Sequence, residues 1–112
     1  MAKVSKGEVW IVDLPGAGGH VQKGQRPAVI VAESNFVQVA TVVPLTSTES
    51  AAKFPHTFKV NPTKENGLQT ESTALVFQLT TIDSSLLKDK MGKLSEQDVK
   101  NLDTLLRDFL KL

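Results

Sequence analysis

Only the C-terminal end of this chain is patterned as a helix; everything before it is cut into short apolar runs by proline, glycine and asparagine. Brief β-branched segments separated by turn signals, with one helix at the end, predict a small antiparallel β domain. Gly7 to Leu14 is a β-branched and aromatic run that reads as a strand buried on both faces, and Pro15 ends it. Pro27 to Ala32 predicts a second strand and Phe36 to Leu45 a third, followed by a small polar loop over Thr46 to Lys53. Phe54 to Val60 alternates, setting Phe54, His56, Phe58 and Val60 on one face and Thr57 and Lys59 on the other. After the turn signals Asn61-Pro62 and Asn66-Gly67, Thr73 to Leu79 reads as a strand apolar on both sides. Ile82 to Leu87 reads as a short helical turn and Lys88 to Lys93 as a lysine-studded edge. Ser95 is a good N-cap, and Val99, Leu102, Leu105, Leu106, Phe109 and Leu110 form a stripe at helical spacing. Lys100, Asn101, Asp103, Thr104 and Asp108 are expected on its polar side. The expectation is a single domain over residues 1–112, mostly β, a twisted antiparallel barrel with the C-terminal α-helix packed on it.

Composition narrows the chemistry. With 40% apolar and 22% charged residues the chain is an ordinary soluble domain. The absence of cysteine removes disulfides, thiol catalysis and thiolate metal sites together. His20 and His56 are the only imidazoles, so no metal site and no cofactor are expected. No apolar run approaches the ~20 residues that span a bilayer and no signal peptide is evident, so cytoplasmic residence without membrane association is expected. A net charge of +1 does not by itself announce a nucleic-acid binder, so any RNA contact must come from a local patch.

One such patch is legible in Gly19 to Val31, where a glycine-rich polar loop leads to Arg26 at the mouth of a strand and Pro27 follows it. Arg26 stays charged near neutrality, and its planar fork suits a phosphodiester. A surface arginine paired with a carboxylate such as Asp13 is the plainer alternative. Lys23, in the same loop, is placed to touch an RNA backbone, whereas Lys88, Lys90 and Lys93 fit a solvated edge as well as a phosphate track. Trp10, mid-strand among Val9, Ile11 and Val12, reads as core rather than as a stacking platform. His56 reads as a partly buried, hydrogen-bonded histidine. Phe77 shares the ambiguity of Trp10, and Gln78, on the opposite strand face, either reads a base edge or satisfies a buried backbone group.

Seven segments in order resemble the MazF/PemK/Kid family of toxins from toxin–antitoxin systems. They are Gly7 to Leu14, Gln22 to Val31, Val43-Pro44-Leu45-Thr46-Ser47, Phe54-Pro55 with Gly67-Leu68, Ser72 to Gln78, Thr81-Ile82-Asp83, and Gly92 to Ser95. The resemblance implies a small SH3-like barrel working as a homodimer. It also implies a sequence-specific, metal-independent endoribonuclease acting on single-stranded RNA and leaving a 2′,3′-cyclic phosphate and a 5′-hydroxyl. A cognate antitoxin with a disordered segment would block the RNA groove. Arg26 and Thr46 match the family's catalytic arginine and threonine, and Gln22, Lys23, Gly24, Ser47 and Gln78 fall on its RNA-binding segments. For Thr46, a strand-end residue capping a turn is the competing reading.

Two departures concern proton transfer. Many members carry glutamate where this chain has Val21, and an acidic residue where it has Phe77. His20 is the nearby side chain whose ordinary pKa suits proton transfer, so either it substitutes as the base or Arg26 works electrostatically without one. The alternatives are a binding module of the same fold without catalysis, or a gyrase-directed toxin. The C-terminus lacks the tryptophan–glycine–isoleucine ending that the last would need.

Overall fold

Seven strands and one long helix make up the described part of the chain, which in this computed structural model covers residues 4–14, 24–34 and 37–112. The strands are β1 (Glu8–Leu14), β2 (Gly24–Ser34), β3 (Val39–Thr46), β4 (Thr57–Val60), β5 (Ser72–Leu75), β6 (Thr80–Asp83) and β7 (Leu87–Lys93). Helix α1 (Glu96–Leu110) closes the fold. All pairings are antiparallel, in the order β4-β5-β3-β2-β1-β7, with β6 also paired to β3. Register shifts in β2 between Ile30 and Ala32, and two more where β1 meets β7, bend the sheet as bulges do.

Alternation sorts β1, β2 and β3 into two cores. Val9, Val29, Val43 and Leu45 point to a core that Leu102 and Leu106 of α1 cover. Trp10, Val12, Ala28, Ile30 and Val42 point the other way and pack with Ile82. The central strands are therefore buried on both faces, as the apolar run of β1 implies. Trp10 is core, and its indole N–H donates to Glu8 Oε1 at 3.0 Å.

The end strands β4 and β7 do not pair with each other; the loop after β4 spans the gap. Lys93 N–H donates to the carbonyl of Glu65 at 2.9 Å. Contact this close leaves no room for a side chain at Gly92, where a Cβ would sit 2.1 Å from the Glu65 carbonyl oxygen. Gly67, at φ +72°, faces the Met91 carbonyl just as closely, with 2.4 Å left for a Cβ. Asn66 organises this loop from within and is only 1% exposed. Its Oδ1 accepts from the N–H groups of Thr63 and Leu68, at 3.0 and 2.9 Å, and its Nδ2 donates to the Asn61 carbonyl at 2.9 Å.

Helix α1 starts where expected: Ser95 Oγ accepts from Asp98 N–H at 3.1 Å. It ends with Lys111 in the left-handed region and Leu112 N–H bonded to the Arg107 carbonyl at 2.9 Å. Leu102 and Leu106 are buried and Val99, Leu105 and Phe109 half-buried, but Leu110 is exposed at the stripe's end.

Several expectations are corrected. The run Thr73 to Leu79 is not one strand: after Leu75 the chain enters a 3₁₀ turn over Val76–Gln78, with Val76 N–H bonded to the His56 carbonyl. Phe77 and Gln78 therefore do not lie on opposite strand faces. Phe54 does not join Phe58 and Val60, because His56 takes φ +60° and β4 starts only at Thr57. Phe54 is exposed and packs on Phe77 instead, ring centroids 5.7 Å apart. The loop over Thr46 to Lys53 contains a 3₁₀ turn at Glu49–Lys53, and β3 begins at Val39. Ile82 belongs to β6, and the helical turn shrinks to Ser84–Leu86. Asp108 does not face solvent alone: its carboxylate meets His56 Nε2 at 3.1 Å while the His56 ring packs on Phe109. His56 is thus partly buried and hydrogen-bonded, as its place in the sequence suggests. The lysine-rich segment is the edge strand β7, with Lys90 Nζ 3.0 Å from Glu8 Oε2.

Gly92→Ala must push the Glu65 backbone aside, and urea unfolding should show a loss of about 1–3 kcal/mol. Burial raises the Glu8 pKa, but the hydrogen bonds from Trp10, Lys90 and Ser5, with the Lys90 charge, outweigh it and hold the carboxyl below its ordinary value. Its contribution is therefore present above the ordinary value of 4.5 and is lost as pH falls through the lowered one. Thermal melts should show Glu8→Gln less stable than the parent at pH 7, with the difference shrinking in acid.

Candidate active site

The neighbouring ends of β2 and β3 carry the two strongest candidates. The last bonded pair of their ladder is Ala28 with Pro44; two residues further along each strand stand Arg26 and Thr46. Both lie on the face that carries Ala28, Ile30 and Val42. Across β5 and β4 the row continues, because Thr46 pairs with Thr73 and Thr73 with Lys59. Arg26 itself pairs with Val12 on β1. Thr46, Thr73 and Lys59 thus form a paired polar row across β3, β5 and β4, with Arg26 at the neighbouring end of β2.

Arg26 is half-buried and belongs to β2 rather than to the loop before it. It borders a cavity of about 340 Å³ whose walls include Ile11, Pro27, Leu45, Ser47 and Thr70. That volume falls in the usual range for small-ligand pockets. Thr46 is 3% exposed, and its Oγ1 accepts from Thr48 N–H at 3.3 Å. The turn-capping reading is therefore correct as far as it goes, and the bond still leaves the hydroxyl proton available to donate.

Ser47 is exposed and lies where the Arg26 cavity meets a second one, of about 630 Å³, that also holds Lys59, Glu71 and Thr73. Thr70 is the other shared wall. Gly24, the first residue of β2 at φ +81°, and Gln78, in the 3₁₀ turn after β5, border neither cavity. His20, Gln22 and Lys23, with Val21, lie outside the described residues. Phe77, where the resemblance leads one to expect an acid, supplies an aromatic face to Phe54 instead.

Sequence reasoning missed the second cavity. Thr73 reads as part of an apolar strand and Glu49 as part of a small polar loop, and Glu71 falls in no motif; the one available signal is the pair Ser72-Thr73 heading an otherwise apolar segment. Among the described residues no cluster of three metal-ligating side chains occurs, and no helix is long and apolar enough to cross a membrane.

Comparison with known proteins agrees with this architecture. The family model described as "PemK-like, MazF-like toxin of type II toxin-antitoxin system" matches residues 5–110. Endoribonuclease EndoA of Bacillus subtilis (strain 168) is 30% identical over 112 residues, covering 97% of this chain and 96% of that protein. A probable endoribonuclease MazF of Mycolicibacterium smegmatis is 33% identical over 87 residues, 76% of this chain and 79% of the relative. Among solved structures, MazF from Deinococcus radiodurans superposes with a TM-score of 0.79 at 16% identity, covering 97% of both chains. A mycobacterial endoribonuclease in complex with its cognate antitoxin gives 0.74 at 22% identity, covering 98% of this chain and 97% of that one. These likenesses, with the antiparallel sheet and its terminal helix, identify the chain as a member of the PemK-like, MazF-like toxin family of type II toxin–antitoxin systems.

Proposed function

We propose that this chain is a toxin endoribonuclease that cuts single-stranded RNA at preferred sequences without a metal ion, and that a cognate antitoxin neutralises it. The observation that carries the reading is the placement of Arg26 and Thr46 at neighbouring ends of the paired strands β2 and β3, each two residues past their last pair. In the reaction the ribose 2′-oxygen attacks phosphorus and the bond to the 5′-oxygen breaks, leaving a 2′,3′-cyclic phosphate and a 5′-hydroxyl. The 2′-hydroxyl gives up its proton, and the departing 5′-oxygen takes one. Negative charge builds on the non-bridging oxygens, and donors fixed in advance are the largest source of rate there. Arg26 supplies two parallel N–H bonds to these oxygens. Thr46, its oxygen already engaged by Thr48 N–H, donates its proton to the same group.

His20 is the proposed base in place of the carboxylate that Val21 and Phe77 do not provide. Gln22, Lys23, Gly24, Ser47 and Gln78 are the proposed RNA contacts, with Ser47 supported by its exposed place between the cavities. The name of the mycobacterial complex supports an antitoxin partner. A homodimer in the cytoplasm, each subunit one domain, completes the reading. One observation favours the binding-module alternative: Phe77 packs on Phe54 and leaves no carboxylate at that place.

The test is cleavage of a long single-stranded RNA in EDTA with mapping of the cut ends. Recurrent cuts ending in cyclic phosphate are expected. Arg26→Ala should lower kcat by about 10²–10³-fold, with no rescue by Arg26→Lys, since an ammonium lacks the fork. Thr46→Val should lower kcat with little change in KM. Binding without cutting across many RNAs would establish the module instead. For His20, the pH–rate profile decides: His20→Ala should lose the limb that the imidazole produces, and an unchanged profile excludes it as base.

A further inference from the structure

Next to Thr46 in the polar row, Thr73 is 5% exposed, yet its hydroxyl bonds to none of the described residues. Buried polar groups normally have partners, so an unmatched one on a cavity wall points to a ligand. The cavity it lines, about 630 Å³, has room for a nucleotide and meets the Arg26 cavity at Ser47 and Thr70. A nucleotide there would be continuous with a phosphate held at Arg26.

The charges of this cavity differ from those expected of a phosphate site. Lys59 faces two carboxylates, Glu49 and Glu71, which leaves a net negative charge. Lys59 Nζ lies 3.5 Å from Glu71 Oε1, with both side chains more than half exposed, so the pair orients Glu71 without burying its charge. Ionised carboxylates only accept hydrogen bonds, and therefore select a ligand edge made of N–H donors. Guanine presents an imino N–H beside an amino group, matching one carboxylate with two parallel bonds. Adenine and cytosine offer an amino group, whereas uracil offers one imino N–H between two carbonyls that repel the carboxylates.

We propose that this cavity is a subsite for the nucleotide flanking the scissile phosphate, in which Glu49 and Glu71 select a donor-bearing base, guanine first and uracil last, and Thr73 binds the same nucleotide through its buried hydroxyl. The proposal rests on the nuclease reading above and deepens it by assigning a source of sequence preference. Unstacked bases read on their Watson–Crick edge are the usual basis of preference for single-stranded RNA.

The experiment compares cut-site base frequencies on one pool of long single-stranded RNA for the parent, Glu49→Gln and Glu71→Gln. A glutamine adds a donor where the carboxylate had none, so discrimination against uracil at one flanking position should fall about tenfold in at least one variant. Thr73→Val should lower kcat/KM for the preferred RNA more than for a disfavoured one, and Thr73→Ser should restore it. Both glutamate positions are exposed, so their variants keep the fold. Identical base frequencies in all proteins would overturn the proposal, as would an equal change for every RNA, which marks a backbone contact. If the parent cuts nothing, the nuclease reading fails by itself. Binding of short RNAs varied at one position then decides the subsite: guanine favoured by the parent and not by the glutamine variants supports it, and equal affinities overturn it.

Discussion

The hydrogen-bond register of β3 is the constraint from which the rest of this structure follows. This strand pairs with β2 along one edge, and on its other edge with β6 through its first half and β5 through its last residues. A slip of one residue would turn Val43 and Leu45 out of the core under α1 and drive Thr46 into it. The apolar load on both faces makes such a slip prohibitive. Because the register is so firmly held, Thr46, Thr73 and Lys59 fall in one row although they come from three separate strands, and Arg26 stands at the neighbouring end of a fourth.

The row lies where the ladders end, and that location reconciles polarity with burial. Inside the barrel the same strand positions are occupied by Ala28, Val42 and Ile30, with no exposure. Beyond the last bonded pair of β2 and β3, Arg26 borders one cavity and Thr73 of β5 the other, while Thr46 is buried and borders neither. Rigid strands thus hold groups whose geometry matters, while the turn after Thr46 supplies Ser47 and the bond that anchors the Thr46 hydroxyl.

Closure of the barrel contributes to the site from the opposite side. The segment after β4 is fastened to β7 by the Lys93–Glu65 bond and by the two glycine contacts, and Asn66 fixes its path with three side-chain bonds. That path sets Thr70 between the two cavities and brings Glu71 beside Lys59. A loop that closes the fold therefore also shapes the wall of the candidate site.

Much of this was legible in the residues alone. Periodicity located β1, most of β2 and β3, the edge strand β7 and the capped terminal helix, and the ordered motifs pointed to the family and to Arg26 and Thr46. Local pattern failed where long-range bonds overrule it. Val76 leaves the strand because its N–H finds the His56 carbonyl, and Phe54 leaves its face because His56 adopts a left-handed backbone. The sequence by itself determined which segments must bury their side chains, since hydrophobic period and turn residues are local properties. Only the tertiary structure decided which polar residues stand side by side, because strand pairing joins positions such as 46 and 73 that no local pattern connects.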